Sequence, residues 1–197
     1  MIPEVFIFIG RSGVGKGTQA QFLKEYFKKK YPDKKTVLFG SGENLRKLIG
    51  GSQYTARRVK DIVYDKGGLF PEFLAIYNWA NFFIEHVTGS EFLILDGSPR
   101  KLREAEVLDE AFEFYGKKEV RVLWMRGSRE WSTKLLLGRG RSDDTHENIK
   151  RRLDWFEQDV ALVIKYYKKH HTHMIIEING EQTREEVRNE IISKLKI

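Results

Sequence analysis

Between Gly10 and Gly17 the stretch GRSGVGKG places four glycines and one lysine in eight positions. The spacing from Gly10 through Gly15 to Lys16 fits the phosphate-loop pattern G-x-x-x-x-G-K. Glycines let backbone amides turn inward without side-chain obstruction. The amides of Gly13, Val14, Gly15, Lys16 and Gly17, with the N-terminus of a following helix, would cradle an anion. The Lys16 ammonium would reach the outer phosphates of such a ligand. The hydroxyl residue that usually follows the lysine is displaced by one position. Gly17 stands there and Thr18 comes next, so a magnesium-holding role falls to Thr18, through a water. The plain alternative is a glycine-rich structural turn. Against it stands the context, a buried strand before the loop and a helical pattern after it.

Those neighbours belong to a regular series. EVFIFIG (4–10), KTVLFG (35–40), EFLILDG (91–97), EVRVLWM (119–125) and HMIIEING (173–180) read as short buried strands. Several are continuously apolar, as expected when both faces of a parallel sheet are covered. Helical patterns separate them: TQAQFLKEYFKKKY after the first, ENLRKLI, TARRVKDIVYDKG and FPEFLAIYNWANFFIEH after the second, and KLREAEVLDEAFEFYG after the third. REWSTKLLLGRG and HENIKRRLDWFEQDVALVIKYYKKHH follow the fourth, and TREEVRNEIISKLK closes the chain. Alternating strands and helices predict an α/β fold with a parallel sheet. Two intervals, about 42–75 and 138–150, are candidate insertions over the carboxyl edge of the sheet, where such folds bind ligands.

Bulk composition narrows the setting. A chain of 197 residues, 41% hydrophobic and 32% charged, can build one large core. It has no cysteine, which excludes disulfides and thiolate metal sites and makes a reducing cytoplasm the expected location. MIPEVFIFIG has no basic lead and only a brief apolar run, so no signal peptide is expected, and no run approaches a membrane span. A net charge of +7 suits a phosphate-rich partner, although charge alone favours a solvated basic surface.

GRSGVGKGTQ resembles the first motif of the adenylate kinase family of nucleoside monophosphate kinases, which typically reads GGPGSGKGTQ. Further motifs follow in order. GSGENLRKLI resembles the STGDLLR segment, which implies that Ser41 and Gly42 lie by the acceptor monophosphate and that Arg46 pairs with its phosphate. KGGLFP (66–71) resembles KGxLVP, whose backbone near Leu69 and Phe70 abuts the acceptor base. LILDGSPR resembles LDGFPR and places Asp96, Gly97 and Arg100 at the end of the third strand. GRGRSDD with NIKRRLDWF resembles a short-lid GRxDD segment, which carries over Arg139, Arg141, Asp143, Asp144 and Arg152. In the closing strand and helix, Gln182 would lie near the donor base through its backbone.

The resemblance covers nearly the whole chain. It implies one P-loop three-layer sandwich over 1–197, with a five-stranded parallel sheet, a monophosphate-binding flap and a short lid. It implies transfer of the terminal phosphoryl group of ATP, with magnesium, to a nucleoside monophosphate, with AMP the first choice. Lys16, Arg100, Arg139, Arg141 and Arg152 would neutralise the transferring group. Asp143 and Asp144 would orient arginines or lid backbone; alternatively SDD, or Thr145, caps the next helix. Asp96 would hold magnesium-bound water; alternatively it is a solvated turn acid. A cytoplasmic monomer is expected, with no membrane or nucleic-acid partner.

Three residues depart from the family pattern. Glu104 stands where the adenylate-specific glutamine belongs, and an ionised glutamate only accepts hydrogen bonds. It suits guanine's paired donors, which leaves UMP/CMP or GMP kinase open; alternatively Glu104 lies on a helix surface. Ser98 replaces phenylalanine, with Trp79 and Phe82 as candidate fillers of the pocket. Leu135 replaces a basic residue, and a nucleotide-binding regulatory protein with weak turnover is the rival from another class. Elsewhere, His170, His171 and His173 read as a basic helix end rather than a metal cluster, and FKKKYPDKK as a solvated helix end. Tyr77, Trp79, Phe82 and Phe83 read as a core face.

Overall fold

The computed structural model describes residues 4–65, 68–141, 143–169 and 173–197. Its strands are β1 (Val5–Gly10), β2 (Thr36–Gly40), β3 (Phe92–Asp96), β4 (Val120–Arg126) and β5 (His173–Asn179). All neighbouring strands pair in parallel, in the order β2-β3-β1-β4-β5. Parallel pairing requires a crossover between strands, and helices supply each one. These are α1 (Lys16–Lys30), α2 (Ser41–Ile49), α3 (Tyr54–Lys60), α4 (Glu72–His86), α5 (Leu102–Phe114), α6 (Arg129–Arg139), α7 (His146–Trp155), α8 (Ala161–Lys169) and α9 (Arg184–Leu195).

Side chains alternate across each strand, so the apolar runs feed two cores at once. Val5, Ile7 and Ile9 face one layer with Leu93, Leu95, Val120 and Val122, packed by α4, α5 and α8. Phe6 and Phe8 face the other with Ile94, Leu123, Met125 and Ile178, packed by α1 and α9. On that side Phe27 stacks on Phe92 at 4.2 Å between ring centroids. Leu136, Ile149 and Leu153 form a small third cluster between α6 and α7.

Register sets the site. Phe8 pairs with Asp96, and Asp96 with Gly40, so β2 and β3 end level while β1 runs on to Gly10. The phosphate-loop glycine, Asp96 and the start of α2 therefore share the carboxyl edge of the sheet, the position where open parallel sheets bind ligands.

Two local expectations need correction. Tyr77 is 65% exposed, whereas Trp79 and Phe83 are buried. Residues two apart on a helix point to nearly opposite sides, so Tyr77 and Trp79 cannot share a core face. The single helix expected over 146–171 is interrupted by a π-helical turn, Phe156–Val160. The buried positions Ile149, Leu153, Phe156, Val160, Val163 and Tyr167 keep steps of three or four through that turn. The pattern is therefore blind to it.

Candidate active site

The loop after β1 is shaped by its glycines. At Gly10 a Cβ would lie 2.4 Å from the Met125 carbonyl oxygen, so only glycine lets the loop leave the sheet this close to β4. Gly15 adopts φ 97°, the left-handed region, and caps α1 without a side-chain hydrogen bond. The first-turn amides of this 15-residue helix are thus left for a ligand. Val14 is buried against Gly127 and Gly180, where added Cβ atoms would come within 2.8 and 2.5 Å of its methyl group. Lys16 Nζ bends back and donates to the carbonyls of Gly10 at 2.8 Å and Arg11 at 2.7 Å. Burial, opposed by Asp96 but aided by Arg100 and Arg139, pulls its pKa down to about 8.

Asp96 ends β3 directly beside this loop. A Cβ on Gly17 would sit 2.9 Å from its Oδ2, so glycine there keeps space open along the carboxylate. Burial pushes the Asp96 pKa up, against the opposing pull of Lys16, Arg100, Arg46 and Arg141. Four cations from four separate segments thus converge on one acid. The solvated-turn alternative for Asp96 does not fit that burial. A carboxylate and a hydroxyl such as that of Thr18, one residue beyond Gly17, are hard oxygen donors, suited to a magnesium ion that keeps most of its waters and takes phosphate oxygens.

On the β2 side, Arg100 is anchored by its neighbours. Its Nε donates to the Gly97 carbonyl at 2.8 Å and its Nη2 to Ser41 Oγ at 3.2 Å, while Ser41 donates to the same carbonyl at 2.9 Å. Gly42 adjoins Arg46; a Cβ there would lie 3.4 Å from Arg46 Nη1. Next to this group opens a cavity of about 30 Å³, walled by Leu45, Leu69, Phe70 and Ala75, with Ser98 and Glu104 as polar contacts. Glu104 is 2% exposed in the first turn of α5, so the helix-surface alternative is wrong. Trp79 and Phe82 do not line the cavity. Trp79 packs on Phe83 in the core and Phe82 against Phe39, so neither fills the space left by Ser98. Lys66 and Gly67 of the KGGLFP motif lie outside the described residues.

The third group hangs over the sheet edge from α6 and α7. Arg139 grips the Asp144 carboxylate with Nε at 2.8 Å and Nη2 at 2.7 Å. Arg152 Nη1 donates to the same carboxylate at 2.9 Å, and its Nη2 to Asp143. Thr145, not an aspartate, caps α7 by accepting the Asn148 amide at 3.2 Å, which leaves both acids to the arginines. Arg141 has its pKa lowered by burial and by the charges of Arg139 and Arg46. Arg100 is lowered by burial first, with Glu104 and Asp96 opposing and Arg152 adding to the effect. Lys16, Arg46, Arg100, Arg139, Arg141 and Arg152 therefore feel one another across a common space. Such a crowd of like charges is stable only with anions among them.

Other sequence candidates are placed as follows. Gln182 follows β5 on the same edge, and its side-chain NH2 donates to the Asn179 carbonyl at 2.9 Å and to Glu190 at 2.6 Å. Leu135 is 40% exposed on α6. His170 and His171 lie outside the described residues, and His173 hydrogen-bonds Asp109 at 2.8 Å. Sequence reasoning missed Arg11. Its Nη1 donates to the Gly127 carbonyl at 2.7 Å, its Nη2 to Glu157 at 3.2 Å, and its guanidinium lies 4.7 Å from the centre of the Phe156 ring. It occupies a variable position of the loop pattern, and its acidic partner is 146 residues away, so no local signal marks it.

The family model for adenylate kinase matches residues 8–172. An adenylate kinase 1 from Nostoc sp. is 34% identical over 190 residues, covering 96% of this chain and 97% of that protein. Adenylate kinases from Leptospira biflexa, 33% identical over 193 residues, and Prochlorococcus marinus, 32% over 189, match 96% of this chain, at 98% and 97% of their own lengths. The matched stretch contains the phosphate loop, the cavity beside Glu104 and the arginines of α6 and α7.

Proposed function

We propose, for a chain that belongs to the adenylate kinase family and is an ATP- and magnesium-dependent nucleoside monophosphate kinase, that the acceptor is AMP and that six named cations carry the transfer. The supporting observation is the convergence of Lys16, Arg46, Arg100, Arg139, Arg141 and Arg152 on the space around Asp96. In the reaction the bond from the bridging oxygen to the terminal phosphorus of ATP breaks. A phosphate oxygen of the monophosphate forms the new bond, and two diphosphates leave. The attacking oxygen is already anionic, so no base is needed; the requirements are alignment and neutralisation of charge.

The loop amides and Lys16 hold the donor's phosphates. Arg46 and Arg100 hold the acceptor phosphate, with Ser41 and Gly97 fixing the Arg100 fork. Planar guanidinium groups bind phosphate oxygens in pairs, which fixes direction as well as charge. Arg139, Arg141 and Arg152 approach from the other side, held by Asp143 and Asp144. Thr18 and Asp96 would hold magnesium through water, and the ion would supply further positive charge to the phosphates. Leu69, Phe70 and Glu104 receive the acceptor base, and the Gln182 backbone lies by the donor base.

Residues 42–75 form the monophosphate flap and 138–150 the lid. In support, α2 buries none of its own residues, as suits a segment that projects from the sheet. A cytoplasmic monomer completes the reading; among the described residues no helix is long and apolar enough to cross a membrane. Glu104 favours one second reading, GMP as acceptor, because a carboxylate accepts from guanine's N–H groups. A coupled assay with ATP, magnesium and each common monophosphate tests the assignment. AMP turnover ahead of the pyrimidine nucleotides is expected. No diphosphate from any of them would overturn it.

A further inference from the structure

The cavity beside α5 contains a buried polar atom without a partner. Glu104 Oε2 accepts the Arg100 backbone N–H at 2.7 Å, while Oε1 is buried and makes no hydrogen bond among the described residues. Leaving such an atom unpaired is costly, so whatever fills the cavity is expected to supply the missing contact. Leu45, Leu69, Phe70 and Ala75 give it an apolar wall that suits the face of a planar base, with serines and charged side chains completing the lining, and the cavity must widen from its about 30 Å³ to admit one.

The Arg100 amide fixes what Oε1 can offer. An amide N–H can only donate, so Oε2 must remain an acceptor in either protonation state of Glu104. A proton on this carboxyl group therefore sits on Oε1, and the acid presents an O–H donor to the cavity. The carboxylate presents an acceptor instead. Adenine's outer edge places a ring-nitrogen acceptor beside its amino group, whereas guanine's offers two N–H donors.

Resting on the reading of this cavity as the acceptor-base site, we propose that Glu104 selects the acceptor by its protonation state. The acid favours AMP by donating to adenine's ring nitrogen, and the carboxylate shifts preference towards GMP by accepting guanine's N–H groups. The substrate class is thus an amino-purine monophosphate, with its identity set by pH.

The groups facing Glu104 act in both directions. Arg100, just before α5, stabilises the carboxylate through its backbone amide and its charge, with smaller support from Ser98 and the Lys101 amide, neither of which makes a hydrogen bond to Oε1. Glu72 of α4 lines the same cavity, its charge shared with Lys101 at 3.9 Å and Arg103 at 4.0 Å. Tyr167 of α8 is buried and is itself raised in part by Glu104. Burial outweighs the stabilising groups and lifts Glu104 above the ordinary carboxylate range.

The test is the ratio of kcat/KM for AMP to kcat/KM for GMP, with ATP and magnesium, between about pH 5.5 and about pH 8. Both nucleotides carry the same phosphate and use the same arginines, so ionisations common to the two cancel. The ratio is expected to fall by about fivefold or more as pH rises, the loss of one hydrogen bond to a charged group. Glu104→Gln is expected to remove the slope and retain the AMP preference. Its amide oxygen must face the Arg100 N–H, which turns its NH2 group to the cavity as a permanent donor. A flat ratio in the wild type, or an unchanged slope in Glu104→Gln, overturns the proposal. If that variant does not fold, the wild-type slope alone decides. No turnover of either nucleotide at any pH, with turnover of a pyrimidine monophosphate, overturns the reading of this cavity as a purine site, and the proposal with it; no turnover of any monophosphate overturns the kinase reading.

Discussion

Arg152 and Asp144 meet at 2.9 Å across the loop that joins α6 to α7, on the same carboxylate that Arg139 holds with two hydrogen bonds. One aspartate, its side chain 1% exposed, thus sets the spacing of two arginines that we propose face the phosphates. Exposed ion pairs contribute little, but a buried, shared carboxylate is different. Asp144→Asn keeps the shape and removes the charge, which leaves Arg139 and Arg152 to repel. Turnover is expected to fall by about ten- to a hundredfold, in line with the cost of misplaced reacting groups. Steady-state kinetics should show the loss in kcat, with the AMP KM less affected.

Lys16 sets a pH limit. Its pKa of about 8 lies below the free lysine value because burial disfavours the charged form. As pH rises through 8, the unliganded protein loses this cation, and ATP must then recover the proton on binding. ATP affinity is expected to weaken above pH 8, by up to about tenfold per pH unit. Calorimetry in buffers of different ionisation heat should detect proton uptake there. Lys16→Met should abolish that uptake and reduce turnover by about a hundredfold or more.

Arg11 ties the phosphate loop to distant segments. It joins the Gly127 carbonyl and Glu157, and Glu157 is shared with Arg129 at 3.0 Å, which also holds Asp154 at 2.7 Å. The loop is thereby linked to α6 and α7, the helices that carry Arg139 and Arg152. Arg11→Ala is expected to destabilise the protein by about 1–2 kcal/mol, measured by urea unfolding. Arg11→Lys keeps the charge without the fork and should recover only part of that.

Acid sensitivity should come from the opposite end of the sheet. Lys117 and Glu91 form a buried pair at 3.1 Å, just before β4 and β3. Burial pushes the Glu91 pKa up, but hydrogen bonds from the Thr88 amide and hydroxyl and from Lys117 overcome it and hold the value at about 2. A depressed carboxylate contributes stability that is complete above its unfolded pKa near 4.5 and is lost as pH falls towards 2. Unfolding free energy should therefore drop through that window, and less steeply in Glu91→Gln. Lys117→Met strands a buried charge and is expected to cost about 3–5 kcal/mol at neutral pH.

How far the sequence revealed these features follows from the range of each signal. The five strands were legible because each face of a parallel sheet is buried, which makes runs such as FLIL continuously apolar. The phosphate loop was legible because its backbone geometry demands glycine at fixed spacing. The π-helical turn at Phe156–Val160 was not, since its buried residues keep the ordinary helical steps. Ser98 read as a lost apolar contact, whereas it is buried beside Glu104 and supports that carboxylate. The Arg11–Glu157 link pairs residues 146 apart in the chain, and neither shows in its own sequence neighbourhood that the other is near.

The central claim is that one ring of cations holds two nucleotides with their phosphates facing. Inhibition by two adenosines joined through a chain of phosphates tests it most directly. Competition against both ATP and AMP is expected, with affinity reduced about tenfold or more in Arg100→Ala and Arg139→Ala. Competition against only one substrate, or affinity unchanged in both variants, would contradict it.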